Sequence, residues 1–256
     1  MLFDSHSHTK FSADSEMQAK DALQAAARAG VGLVFTEHLD LDFPGEDVFE
    51  FSPQKYWQEY LPLRGDQLRL GVEIGLEQGT LARSRAFVAE VPFDLVIGSI
   101  HLLEHHDLYY PDYYRGRSKE QVFHAYFQTM AEQIRACDFC DVLGHIDYIV
   151  RYAPYEEHTL DYTQFHEGID AVLRAVIETG KVMELNTRRL GDKAACEDLL
   201  PVYQRYRELG GRYVTLGSDA HTPEAIGVNF AAGQQLAAAA GLQLVTFKAR
   251  KMELCQ

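Results

Sequence analysis

Leu2-Phe3-Asp4-Ser5-His6-Ser7-His8, with Ser12-Ala13-Asp14-Ser15 just behind it, is the stretch on which the reading of this 256-residue chain turns. In an extended strand, residues i and i+2 face the same side, so His6 and His8 can aim both imidazoles at one point. Two neutral imidazoles converging at the end of a buried strand are the start of a divalent-metal site. Taken alone, the pair also reads as a polar strand exit. What separates the two readings is that the rest of the chain repeats the design: one apolar run after another ends in His, Glu or Asp.

Working outward, Glu16 to Ala27 has helical composition with an apolar face of Ala22, Leu23, Ala26 and Ala27, and Gly30 is placed to stop it. Gly32 to Phe35 then runs into Thr36-Glu37-His38, and Leu68 to Val72 into Glu73. Leu95 to Ile97 ends in Gly98-Ser99-Ile100-His101, and Asp141 to Leu143 in Gly144-His145-Ile146-Asp147. Lys181 to Leu185 ends in Asn186-Thr187-Arg188-Arg189, and Tyr213 to Leu216 in Gly217-Ser218-Asp219-Ala220-His221. Helical segments fall between them: a short one after Ser52-Pro53, then Thr80–Glu90, a long one opened by a capping box at Ser118-Lys119-Glu120-Gln121, Phe165–Thr179, Cys196–Leu209 and a last one near Thr222-Pro223. Leu242 to Phe247 is expected as a peripheral final strand.

Seven strand-helix units without a linker or repeat predict one α/β domain spanning residues 1–256 with a parallel sheet. A barrel explains more than a doubly wound sheet, because chemistry at the carboxyl end of every strand converges on one mouth only if the strands form a ring. No GxGxxG or P-loop pattern marks a switch point.

Composition narrows the function. The hydrophobic share of 46% and charged share of 24% are those of a globular protein. A formal charge of −14 without a basic stripe argues against nucleic acid as the main partner. No apolar run reaches membrane-span length and the N-terminus has no signal-peptide pattern, so a cytoplasmic protein without a membrane is expected. Four cysteines without a disulfide-like framework fit a reducing compartment.

The strand-end set is His6, His8, Asp14, His38, Glu73, His101, His145, Asp219 and His221; six of the eleven histidines belong to it. A lone His there is usually a hydrogen-bonding cap, but six joined by carboxylates and no cysteine point to metal. Nine ligands exceed one ion's tetrahedral need, so two or three ions sharing bridging carboxylates are predicted. Imidazole plus carboxylate suits Zn, Mn or Fe alike.

HSH with a downstream Asp14, then TEH, a strand-end Glu, GSIH, GHID and GSDAH resemble the ordered motifs of the polymerase-and-histidinol-phosphatase (PHP) superfamily over nearly the whole chain. Within it, Thr36–Asp40, Gly71–Glu77, Tyr113–Glu120 and Glu184–Thr187 are most similar to the histidinol-phosphate phosphatases of histidine biosynthesis. The resemblance implies a distorted seven-stranded (β/α)7, TIM-like barrel with a trinuclear centre at its mouth. It implies one ion on His6, His8, Glu73 and Asp219, a second bridged by Glu73 to His101 and His145, and a third on Asp14, His38 and His221. The family's phosphate-binding arginines fall on Arg151 and on Arg188 or Arg189, where the segment is shortened and the choice stays open. The implied reaction is hydrolysis of L-histidinol phosphate, a small phosphomonoester, by a metal-bridging hydroxide, with Asp219, His221 and Glu73 as catalytic residues. Asp219 would order the nucleophile and take its proton, and arginine would clamp the remaining oxygens. The alternatives are a phosphoesterase of other phosphomonoesters, nucleotides or oligonucleotides, and a non-catalytic metal-stabilised module, which would be expected to have lost ligands.

Other features carry plainer expectations. Cys137-x-x-Cys140 sits at a helix end, where a redox role is not expected. The tyrosine-rich loop His105–Arg117 is expected to shape or cover the mouth. Asp40, Asp42 and Glu77 are candidates for a substrate ammonium or imidazolium, against the commoner solvated role of acidic loop residues.

Overall fold

In the computed structural model, which describes residues 1–46 and 48–255, each of the seven apolar runs forms a strand of one sheet. Along the chain these are β1 (Phe3–Ser7), α1 (Ala19–Ala29), β2 (Gly32–Leu39), α2 (Pro53–Tyr60), β3 (Leu68–Gly75), α3 (Leu81–Val88) and β4 (Leu95–Ser99). A two-stranded hairpin, β5 (Leu102–Leu103) and β6 (His106–Asp107), precedes α4 (Lys119–Ala136). Then follow β7 (Val142–Leu143), α5 (Tyr148–Tyr152), α6 (Tyr162–Glu178), β8 (Val182–Asn186), α7 (Lys193–Glu208), β9 (Tyr213–Gly217), α8 (Phe230–Ala239), β10 (Gln243–Lys248) and β11 (Lys251–Leu254).

Local chemistry sets the boundaries. Gly30 ends α1 in the left-handed conformation at φ 71°, which a residue with a Cβ adopts only at a cost. Ser52 caps α2 with Pro53 in its first turn, and the Ser118–Gln121 capping box opens α4 as the sequence predicts. The helix expected at Thr222-Pro223 is a single 3₁₀ turn, and α8 starts later, at Phe230. α7 begins at Lys193, before the expected Cys196, because Asp192 accepts from the amide of Ala194 as its cap.

The sheet order is β1-β2-β3-β4-β7-β8-β9-β10-β11, parallel except for the antiparallel β10–β11 hairpin. β1, β2, β3, β4 and β8 are buried along their whole length, as strands covered on both faces must be. The expected closed seven-stranded barrel is therefore corrected: the ladder holds nine strands and does not close. β9 pairs its N-terminal residues Tyr213 and Val214 with β10. It also lies against β1, and just beyond its C-terminal end a Ser7–Ala220 bridge joins the two, with His8 N–H donating to Ala220 O at 2.8 Å and Asp219 N–H to His6 O at 2.9 Å. Nor is the last strand merely peripheral. Val245 and Phe247 of β10 share one apolar cluster with Phe3, Val34, Leu95, Ile97, Val142 and Val182, a contact that requires the sheet to curl around them. The contact between β1 and the end of β9 brings the first and last ligand segments together.

At the opposite end of the strands, Asp94 fastens three elements. It pairs bidentately with Arg64 at 2.6 and 2.8 Å and accepts from the amides of Leu70 and Ala249. Cys137 and Cys140 pair as a disulfide; the intervening turn leaves their Cα atoms 6.2 Å apart, within bridging distance. Cys196 and Cys255 are free. Among the described residues, no helix is long and apolar enough to cross a membrane.

Candidate metal centre

All nine strand-end residues meet at the carboxyl ends of the strands, with Glu73 at their centre. Its Oε2 lies 3.1 Å from His6 Nε2, 3.5 Å from His8 Nε2 and 3.0 Å from His38 Nδ1. Its Oε1 lies 2.9 Å from His145 Nε2 and 3.3 Å from His101 Nε2. One carboxylate thus faces a separate imidazole set with each oxygen. Asp219 Oδ1 stands 3.6 Å from His8 Nε2 and 3.9 Å from His6 Nε2. Asp14 Oδ2 reaches His221 Nε2 at 3.0 Å and His38 Nε2 at 3.6 Å. Three sets have ligand atoms within 4.8 Å of one another: His6–His8–Glu73, His38–Glu73–His101 and His8–His38–His221.

The donor set fits divalent cations on physical grounds. His6 Nε2, His8 Nε2, His38 Nδ1 and Glu73 Oε2 are buried without any hydrogen-bond partner. Each such atom costs about 1–3 kcal/mol unless something satisfies it. The rings of His38 and His221 stack on His8 with centroids 4.0 and 4.3 Å away, too close for all three to be charged. Burial and these two neighbours hold His8 well below the ordinary histidine value, leaving it the neutral ligand a metal needs. Burial also works against ionising Glu73, but His6, His101 and His38 outweigh it and keep its carboxyl far below the usual range.

Hydrogen bonds fix the tautomers. His6 Nδ1 donates to Glu184 Oε1 at 2.6 Å, and His101 Nδ1 to Asp40 Oδ1 at 2.8 Å. His221 Nδ1 donates to the carbonyl of Asp219 at 3.0 Å. His8 Nδ1 donates to Ser12 Oγ at 3.1 Å; Ser12 in turn donates to Glu37 Oε2 at 2.7 Å and accepts the amide of His38 at 3.0 Å. Each bond leaves Nε2 bare toward the centre. Glu184 also accepts the amide of His145 at 2.7 Å, and Glu37 holds both the amide and hydroxyl of Thr9. Of these orienting residues only Asp40 was given a role by the sequence, as a candidate for a substrate cation rather than as the partner of His101. Their only sequence signal is an acid beside a ligand motif.

Backbone strain sits here too. Asp219 has φ 56°, unusual for a residue with a side chain. The segment is held by Asp4, which accepts from Ser218 N, Ser218 Oγ and Gly227 N. Gly217 is required by close approach: a Cβ there would lie 2.2 Å from Glu184 Oε1 and 2.5 Å from the His6 Cβ.

A cavity of about 360 Å³ opens over the cluster, lined by Asp14, His38, His101, His145, Asp219 and His221 and walled by Phe43, Phe49, Tyr109, Tyr110, Tyr148 and Tyr152. Tyr109 and Tyr110 come from the tyrosine-rich loop, whereas Tyr113 and Tyr114 are buried in the core. The arginines divide. Arg188 lines the cavity, its Nη1 3.6 Å from Asp219 Oδ2. Arg189 turns away, bound to Asp147 Oδ2 at 3.0 Å and the His158 carbonyl at 3.1 Å. Arg151 is buried behind Asp219, donating to its Oδ2 at 2.5 Å while its Nε and Nη2 have no partner. Asp42 pairs on the surface with Arg83, and Glu77 with His105; only Asp40 of the three acidic candidates lines the cavity, and Asp107 joins it there.

The PHP domain model matches residues 4–188. The chain belongs to the PHP domain family. Relatives of this PHP chain carry a specific name. A "probable histidinol-phosphatase" of Clostridium acetobutylicum is 42% identical over 253 residues, covering 99% of both chains. A histidinol-phosphatase of Lactococcus lactis is 29% identical, covering 98% of this chain and 96% of its own. The crystal structure of histidinol phosphate phosphatase from Lactococcus lactis, complexed with zinc, L-histidinol and phosphate, superposes with a TM-score of 0.93 at 28% identity, covering 98% of each chain. The α/β fold with its mostly parallel sheet is thus shared with that PHP enzyme.

Proposed function

We infer that this chain is a metal-dependent phosphatase that hydrolyses L-histidinol phosphate to L-histidinol and phosphate, a step of histidine biosynthesis in the cytoplasm. The observation that carries the reading is the Glu73-centred cluster of unsatisfied imidazoles beneath a small cavity. It occurs in a chain 42% identical end to end to a probable histidinol-phosphatase.

We assign His6, His8, Glu73 and Asp219 to one ion, Glu73, His101 and His145 to a second, and Asp14, His38 and His221 to a third, of the Zn, Mn or Fe class. Divalent ions at such ligands lower the pKa of bound water toward ~7 and neutralise the charge of a phosphomonoester. The chain's own residues do the rest. Asp219 stays ionised, because Arg151, His6 and His221 outweigh the burial that opposes its charge. With Oδ2 held by Arg151, its Oδ1 is left to orient the attacking water and to relay the proton that water loses to the departing histidinol oxygen as the P–O bond breaks. Arg188, with its guanidinium in the cavity, takes the phosphoryl oxygens. Arg151 positions Asp219 and keeps two nitrogens in reserve beside it. Histidinol leaves as a group carrying an ammonium and an imidazole. Asp107 and the faces of Tyr109, Tyr148 and Tyr152 offer that cation a carboxylate and aromatic rings.

The test is phosphate release by metal-loaded protein from a panel of phosphomonoesters and one phosphodiester. L-histidinol phosphate should be turned over with a kcat/KM at least tenfold above every other member. Equal turnover across the panel would reject the substrate assignment, and no turnover of any would reject the reaction.

A further inference from the structure

A second cavity, about 490 Å³, opens at the N-terminal ends of β7 and β8, the end of the sheet opposite the metal ligands. Three cations line it, Arg135, Lys181 and Arg250, against two carboxylates, Asp138 and Asp141. Both carboxylates are already committed, Asp138 to Arg85 and Asp141 to Arg250 and the amide of Val96. Arg135 uses Nε on Glu178 and Nη2 on the Ala171 carbonyl, and Arg250 uses Nε on Asp141 and Nη2 on the Phe139 carbonyl. Each guanidinium therefore has an Nη1 that makes no hydrogen bond among the described residues. Lys181 is the odd charge. Only 7% exposed, it has no hydrogen bond or ion pair to its ammonium among the described residues. Its stem is buried while its ammonium reaches the cavity, where among the described residues nothing pairs with it. Val182, Phe247 and the Cys137–Cys140 disulfide give the same cavity an apolar wall.

We propose that this cavity is a binding site for a small organic anion, a carboxylate or a phosphate-like oxyanion on an apolar body, with Lys181 as its principal counter-charge. Burial pulls the Lys181 ammonium below its ordinary value, with Asp138 and Asp141 opposing. A bound anion would oppose that shift and give the Lys181 ammonium the partner it lacks. Nothing in this site depends on the phosphatase reading, and no metal ligand borders it.

The experiment is amide NMR of the metal-loaded protein titrated with benzoate, with benzenesulfonate and with uncharged benzyl alcohol. None of the three is a phosphatase substrate. Benzoate, benzenesulfonate or both should give saturable shifts confined to residues 137–141 and 179–182, and whichever binds tells the anion class. Benzyl alcohol should give none at the same concentrations. Lys181→Met should weaken the binding at least tenfold while the rest of the spectrum is kept, with Lys181→Gln in its place if Met disturbs the fold. Shifts only at the mouth, equal binding of the alcohol, or wild-type binding by the Lys181 variant would overturn the proposal.

Discussion

Replacing Glu184 by Gln should weaken metal binding without unfolding the protein. Glu184 is a wholly buried carboxylate that takes the His6 Nδ1 proton at 2.6 Å and the His145 amide at 2.7 Å, and so couples two ligand strands. A glutamine keeps the shape but has one acceptor oxygen. If that oxygen stays on His6, the amide NH2 faces the His145 N–H, donor against donor. One hydrogen bond to a charged acceptor is lost and the other becomes neutral, roughly 2.5–4.5 kcal/mol in all on the scale of about 1.5–3 for a charged and 0.5–1.5 for a neutral bond. Part of this falls on the metal-free fold, so a loss of about 10–100-fold in metal affinity is expected, the range typical for partners of ligating histidines. Competition against a chromogenic chelator measures the affinity, and thermal unfolding of the metal-free form measures the remainder. Glu184→Ala should lose more, because His6 Nδ1, the His145 amide and Asn186 Nδ2 are then all orphaned. Wild-type metal affinity in a folded Glu184→Gln protein would refute the orienting role.

Arg188→Ala should lower kcat/KM by about 10²–10³, the loss of a charged transition-state partner, with metal content unchanged. Arg189→Ala should keep near-wild-type kinetics, since its guanidinium is spent on Asp147 and the His158 carbonyl. Arg151→Lys should lower kcat, because a point charge does not reproduce the hold on Asp219. Ser12→Ala removes the acceptor for His8 Nδ1 and should cost about tenfold in metal affinity, which Ser12→Thr should restore; calorimetric metal titration reads both. Asp94 bears on pH. Burial raises its carboxyl, but Arg64 and the amides of Leu70 and Ala249 outweigh it and depress the value. A depressed carboxyl stabilises above its unfolded value of about 3.9 and loses that contribution as pH falls through the folded one. Asp94→Asn should thus be less stable by about 2–3 kcal/mol at pH 7, and denaturant titrations should show the gap to wild type closing in acid.

The convergence of the strand-end residues was legible because a period-2 strand that stops in a polar residue declares both its end and its facing side, as at His6-Ser7-His8. Where that logic stopped, so did the reading. Arg188 and Arg189 lie beyond a strand end, where alternation no longer assigns faces, and only the contacts with Asp219 and Asp147 separate them. Glu184, Glu37 and Asp40 are buried carboxylates whose partners are distant in sequence, His6 178 positions away in the case of Glu184. No local pattern announces such a pair. Barrel closure failed for a similar reason. The alternation of Leu242 to Phe247 marks a strand but not its neighbour, and β10 pairs with the N-terminal residues of β9 while β1 is bridged to its C-terminal end.

The most direct measurement is the rate of phosphate release from L-histidinol phosphate by one preparation as isolated, after chelation, and after divalent metal is restored, with Glu73→Ala alongside and metal content determined at each stage. The account predicts two or three ions per chain as isolated, loss of activity with the metal, recovery on restoration, and no recovery in Glu73→Ala. Undiminished turnover by protein stripped of metal, or one ion or fewer per fully active chain, would contradict it.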